Sequence, residues 1–218
     1  MTPMPELSIE ADDALVVVDV QHDFLPGGAL AVAEGERIFA PINALLPRFP
    51  RVYATRDWHP PDHSSFTQHG GPWPVHCVAG SHGAALDQRL CLSQTARIVE
   101  KGVDRKTDGY SGFAATDLAA DLRAHGVRRI FVCGLATDYC VKATALDAKA
   151  EEFGVVVLAD ASAAVNLRPT DEDSALEELR RAGVRIANST ELLGQIAMLA
   201  AAGAHLEPNE AFDRAVEI

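Results

Sequence analysis

The sequence predicts an α/β fold: a three-layer sandwich with a mainly parallel central sheet and helices on both faces. Two observations carry the prediction. The runs Ala14–Val20, Ile130–Cys133 and Val155–Asp160 are short, almost wholly apolar and rich in Val, as strands buried on both faces are. They alternate with segments of helical spacing that end near Gly126 and Gly183, and that alternation implies parallel strands with crossover helices. The length, 218 residues, allows one domain spanning 1–218 with a sizeable core.

Taken in order, Ala14–Val20 is strand one and carries Asp19 near its end. Pro26-Gly27-Gly28 marks a loop. Glu34–Phe49 has helical spacing in Ile38, Ile42, Leu45 and Leu46, but Pro41 and Pro47 should kink or shorten it. Arg51–Thr55 is strand two. A long irregular region, about 56–83, holds five of the eight histidines and both tryptophans. Loops of that length within a compact domain are usually functional or disordered, and the aromatic content argues against disorder. Ala96–Glu100 is strand three. Thr116 is placed to cap a helix through Ala124, which Gly126 stops. Arg129–Cys133 is strand four. A helical pattern, Val141–Phe153, follows and is closed by Gly154. Val155–Asp160 is strand five, and Thr170 with Asp173 reads as a capping box for a helix through Arg181. Val184–Ala187 is a short last strand and Thr190–Ala202 a closing helix; the tail after Gly203 has no clear pattern.

The formal charge of -12 argues against nucleic acid or an anionic membrane as partner. The N-terminal stretch lacks the basic and apolar regions of a secretory signal. No apolar run reaches the length of a membrane span. Cys77, Cys91, Cys133 and Cys140 have no disulfide-scaffold spacing. A cytosolic protein is therefore expected. Assembly as a homo-oligomer is left open.

In open parallel sheets, sites lie beyond the carboxyl ends of the strands. Asp19, Lys101 and Cys140 all meet that condition. Cys140 should sit where strand four has turned and a helix begins, where free N–H groups and the helix dipole favour a thiolate. The same N–H groups suit an oxyanion. A carboxylate at Asp19 is placed to take and return the thiol proton, and an ammonium at Lys101 to keep it charged. The plainer alternative is a structural cysteine beside an Asp–Lys pair that only fixes strand ends. In the irregular region, Asp57 and His59 share one side of extended backbone. His76 would complete a two-His, one-carboxylate set suited to Zn²⁺ or Fe²⁺, with Mn²⁺ a further candidate. His63 and Ser64 are further candidates for the same sphere. The alternative is a loop held by hydrogen-bonded histidines. Phe24, Trp73 and Tyr110 would either wall a pocket for a flat ring or pack the loops.

Val18-Asp19-Val20-Gln21-His22-Asp23-Phe24, Asp57-Trp58-His59-Pro60, Trp73-Pro74-Val75-His76-Cys77, Lys101-Gly102, Tyr110-Ser111-Gly112-Phe113 and Gly134-Leu135-Ala136-Thr137-Asp138-Tyr139-Cys140 together resemble the nicotinamidase/pyrazinamidase group of isochorismatase-like cysteine hydrolases. The resemblance implies that Cys140 attacks the carboxamide of nicotinamide, that Asp19 and Lys101 assist, and that a thioester is hydrolysed to nicotinate, with pyrazinamide a second substrate. It also implies an oxyanion hole from the N–H groups of Ala136 and Cys140, and a cis peptide between Leu135 and Ala136. The metal on Asp57, His59 and His76 would bind the ring nitrogen, and Phe24, Trp73 and Tyr110 would hold the ring. A role in recycling nicotinamide into NAD would follow. The competing expectations are another amidohydrolase of this family acting on a different small amide, and a metal-stabilised redox protein using Cys133 and Cys140.

Overall fold

The computed structural model describes residues 7–194. Six strands form one all-parallel sheet: β1 (Asp13–Val18), β2 (Val52–Asp57), β3 (Arg97–Lys101), β4 (Arg129–Leu135), β5 (Gly154–Ala163) and β6 (Arg185–Ala187). Their order is β3-β2-β1-β4-β5-β6. The chain starts in the middle, works outward to β3, then returns to the other side of β1. The strand order therefore reverses between β1 and β4, and a crevice opens at that point.

The apolar run of β1 is buried on both faces, which is why it shows no alternation. Leu15 and Val17 pack with Phe39, Ile42 and Leu45 of α1 (Phe39–Leu45). Ala14, Val16 and Val18 pack on the other face, with Leu118 and Leu122 of α2 (Leu118–Ala124), Ala145 and Ala148 of α3 (Lys142–Ala150) and Leu179 of α4 (Asp171–Arg181). These are the three layers the sequence predicts. Among the described residues, no helix is long and apolar enough to cross a membrane.

The differences from the sequence reading are local. The Glu34–Phe49 pattern breaks into a 3₁₀ turn (Gly35–Ile38), α1 and a second 3₁₀ turn (Leu46–Arg48), with Pro41 inside the first turn of α1 and Pro47 in the second 3₁₀ turn, as prolines require. β2 runs on to Asp57, so that residue ends a strand rather than opening a loop. The helix after β4 starts at Thr137 with a π-helical turn, Thr137–Val141, and α3 stops at Ala150. Gly154 is not its stop: it begins β5, and Glu152 takes the left-handed turn at φ 65°. Thr170 occupies the position before α4, but no side-chain cap forms there. Asp171 instead accepts the Arg168 N–H at 2.8 Å. Asp117 stands immediately before α2, and Thr116 accepts the Leu118 N–H at 3.3 Å. The closing helix begins one residue early and is described over 189–194; the rest of that expectation, and the tail, lie outside the described residues.

Candidate active site

The crevice at the reversal point gathers the three strand-end groups. Asp19 follows β1 directly, in a left-handed turn at φ 50°, a conformation Asp tolerates better than most residues. Lys101 is the last residue of β3. Cys140 lies in the π-helical turn after β4. That turn starts close to β1 because Gly134 sits at a register shift in the β4–β5 pairing. A Cβ there would lie 2.1 Å from the Val18 carbonyl oxygen, so only glycine fits. The peptide between Leu135 and Ala136 is cis.

Lys101 is wholly buried, and its Nζ is the hub of the cluster. It lies 2.8 Å from Asp19 Oδ2 and 2.5 Å from Asp57 Oδ1, and donates to the Gly109 carbonyl at 2.7 Å. The Cys140 Sγ is 3.5 Å away. The Asp19 contact is an ion pair without hydrogen-bond alignment, since Oδ2 has no hydrogen-bond partner. The other oxygen, Oδ1, accepts the Thr55 hydroxyl at 2.7 Å. One oxygen each of Asp19 and Asp57 and the Cys140 sulfur lie within 4.8 Å of one another.

Burial dominates the electrostatics of this corner. It pushes the Cys140 thiol well above its usual range, against the pull of Lys101, and the two carboxylates add to the rise. Burial therefore works against the thiolate that a helix start favours. Burial also lifts Asp19 to about 6 despite Lys101. Burial opposes the Lys101 charge, but Asp19 and Asp57 overrule it and hold the ammonium well above its ordinary value. Burial acts upward on Asp57 as well, yet Lys101 and His59 bring it below the usual carboxylate range. The resting cluster is one cation between two carboxylates, facing a neutral thiol.

Beside it, single atoms of Asp57, His59 and His76 lie within 4.8 Å of one another, and all three residues are buried. His59 Nδ1 bonds the Gly102 carbonyl at 2.9 Å and His76 Nδ1 the Pro74 carbonyl at 2.8 Å. A carbonyl only accepts, so each Nδ1 carries a proton, which leaves Nε2 as the nitrogen that would meet a cation. His59 Nε2 lies 3.4 Å from Asp57 Oδ2, so the two atoms face the same point. Burial lowers the proton affinity of His76, which keeps its lone pair available. Two imidazole nitrogens and a carboxylate oxygen, oriented from behind by carbonyls, fit a divalent cation. His63 does not join this trio. It stacks on His59 at 4.1 Å and bonds Ser65 Oγ at 2.7 Å through Nδ1. Ser64 is exposed, so the serine at the cavity is Ser65.

Both clusters open into one cavity, enclosing about 510 Å³ of empty space with its mouth included. Phe24 lies on one side, packed 5.7 Å from the His76 ring. Trp73 and Tyr110 line the cavity too, joined by an indole N–H to hydroxyl bond of 2.9 Å. Tyr139, which the sequence reading passed over, meets Trp73 edge to face at 5.1 Å. Gln21 was also missed. It is fully buried, accepts the Asp57 N–H at 2.8 Å and donates to the carbonyls of Asp57 at 2.8 Å and Ala84 at 2.9 Å. Its side-chain amide supplies one more rung between β1 and β2 after the main chain has turned away at Asp19. Asp108 stands at the cavity within the loop 103–108. That loop begins and ends on Gly102 and Gly109, at φ 61° and 70°. A Cβ on Gly109 would lie 2.7 Å from Gly102 Cα, so the loop's two ends touch.

Fold and site together define a doubly wound α/β protein with a buried thiol–carboxylate–ammonium cluster, beside a three-donor metal-type cluster, in one small-molecule cavity. Residues 13–191 match the isochorismatase domain model, and the chain belongs to that family. The nicotinamidase of Escherichia coli is 39% identical over 198 residues, covering 79% of this chain and 93% of the relative. The pyrazinamidase of Pyrococcus horikoshii, solved in complex with zinc, is 46% identical with a TM-score of 0.77, over 81% of this chain and 99% of that one. PnC1 from L. infantum, solved in complex with nicotinate, is 43% identical with a TM-score of 0.81, over 85% of this chain and 98% of that one.

Proposed function

We propose that this chain hydrolyses nicotinamide to nicotinate and ammonia through a thioester on Cys140, and that pyrazinamide is a second substrate. The observation that carries the reading is the convergence of Asp19 and Lys101 behind Cys140, which lines the cavity that also presents Asp57, His59 and His76. The relatives named nicotinamidase support the choice of amide. The whole chain acts as one domain in this reading, with 56–83 its metal- and substrate-binding region.

Asp57, His59 and His76 would hold a divalent metal, Zn²⁺ in the first instance, which when bound supplies positive charge for the ring nitrogen of the substrate. Phe24, Trp73 and Tyr110 flank the ring and Tyr139 extends that wall. The carboxamide is then held near Cys140, so that attack is effectively intramolecular. The Cys140 sulfur bonds to the amide carbon as its proton passes to Asp19. A thiol and a carboxylate that burial has both shifted upward are suited to that exchange, because the thiolate forms only as the carbon–sulfur bond does. The N–H groups of Ala136 and Cys140 donate hydrogen bonds to the developing oxyanion. Asp19 returns the proton to the departing nitrogen, the C–N bond breaks, and ammonia leaves. A water, deprotonated by Asp19, then cleaves the thioester and restores the thiol. Lys101 stays charged throughout and keeps Asp19 available as a base.

The test is ammonia release from nicotinamide by purified protein, before and after chelation and after metal restoration. Release that is lost with the metal and regained with Zn²⁺ supports the reading. Release that persists in demonstrably metal-free protein overturns the metal's part. No release from the metal-loaded protein overturns nicotinamide as substrate and points to another small amide.

A further inference from the structure

One buried carboxylate has no part in the chemistry above. Asp138 lies two residues before Cys140 and is 8% exposed. No cation meets it. Its two oxygens instead accept the backbone N–H groups of Val165 and Asn166, each at 2.9 Å. Those residues follow β5, whose pairing with β4 ends at Leu135–Ala163. Beyond that rung the sheet no longer supplies acceptors for the chain, and these partly buried N–H groups find another. The Asp138 fork takes over. Asn166 turns left-handed there, at φ 52°, and its own Oδ1 accepts the Glu172 N–H in the first turn of α4 at 2.9 Å. The Thr137 hydroxyl reaches back to Glu172 Oε1 at 3.5 Å. The result is a closed ring: Thr137 to Glu172 to Asn166 to Asp138. Val165 lines the cavity.

We infer that Asp138 is a positioning residue for substrate binding: it fixes Val165 relative to the turn that carries Cys140, and so sets the cavity wall against which the ring of a small aromatic amide packs. The inference rests on the proposed nicotinamide hydrolysis. A carboxylate suits the task because it accepts two parallel N–H groups at once. Asparagine has the same shape but offers one acceptor and turns an NH₂ towards the second N–H.

The experiment compares metal-loaded wild type with Asp138→Asn, following nicotinamide hydrolysis and the rate at which iodoacetamide alkylates Cys140. Loss of a wall removes binding common to ground and transition states, so KM rises while kcat holds. We expect KM to rise on the order of tenfold, kcat to stay within about threefold, and the alkylation rate to stay within about twofold. A fall in kcat at unchanged KM, or a slowed alkylation, would place the effect on the nucleophile's turn and overturn the inference, as would unchanged kinetics. Should Asp138→Asn not fold, Val165→Ala tests the same wall with the fork intact: a raised KM supports the inference and an unchanged KM overturns it. A wild type inactive on nicotinamide removes the functional reading, and this inference with it. An active wild type with an unchanged KM in the variants removes the inference alone.

Discussion

Replacing Lys101 with methionine keeps most of the side chain's volume and removes its charge. The wild-type ammonium sits between Asp19 and Asp57, at 2.8 and 2.5 Å. Without it two buried carboxylates face each other with oxygens within 4.8 Å. At that distance, with an effective dielectric constant of about 20, two unit charges repel by about 3.5 kcal/mol. Breaking one side of a buried ion pair typically costs about 3–5 kcal/mol, so the two routes agree. For a chain of this size the loss corresponds to a Tm lower by about 6–20 °C. The pH dependence is the sharper test. In the variant both carboxyls titrate above their unfolded value of 3.8. The folded variant then binds protons that the unfolded chain does not, and it recovers stability as pH falls. In wild type the pair holds Asp57 ionised across the same range. Thermal unfolding of metal-free protein, followed by circular dichroism between pH 8 and pH 5, should show the gap between the two narrowing as the solution is acidified. A gap that is constant over that range, or a Tm change under about 2 °C, would refute the reasoning.

Three further outcomes follow from the same corner. Asp19, lifted by burial to about 6, has to be ionised to accept the thiol proton, so kcat/KM of the metal-loaded enzyme should fall below that pH by about tenfold per unit; a profile flat down to pH 5 counts against Asp19 as the base. Cys140→Ala should lower ammonia release by about 10³-fold or more while nicotinate still binds, measured by calorimetry; near-normal release would remove the cysteine from the mechanism. Gln21→Leu strips three hydrogen bonds, two of them from the main chain of Asp57, and should weaken Zn²⁺ binding by about 10–100-fold in a chelator competition; unchanged affinity in folded protein would show that Asp57 needs no such support.

The legible parts of the sequence were those whose cause is local. Ala14–Val20 read as a strand because burial on both faces leaves a nearly unbroken apolar run, although β1 ends at Val18, and the strand-end rule then brought Asp19, Lys101 and Cys140 together from three distant places. Asp57 and His59 were matched by simple alternation. What stayed hidden depends on contacts between distant residues. Gln21 reaches Asp57 across 36 positions, and Asp138 reaches Val165 across 27; neither partner marks the other in a local pattern. The burial of Cys140 was hidden for a related reason. A helix start is visible in sequence, whereas the depth at which Cys140 is buried depends on everything packed around it. Thr170 shows the limit of short motifs: its spacing to Asp173 suited a capping box, but Asp171 captured a backbone N–H instead.

The loop 103–108 leaves from Gly102 and returns at Gly109, whose carbonyls are gripped by His59 and Lys101. Because its two ends meet, its length has no bearing on how far apart those anchors stand. Apart from Arg105, which accepts the Ser64 N–H and donates to the Asp62 carbonyl, the interval hangs on its two glycine anchors like a cassette. Asp108, at the cavity, is carried on that cassette. The charge at the mouth of the cavity is therefore set by a segment separate from the strand ends that hold Asp19, Lys101 and Cys140.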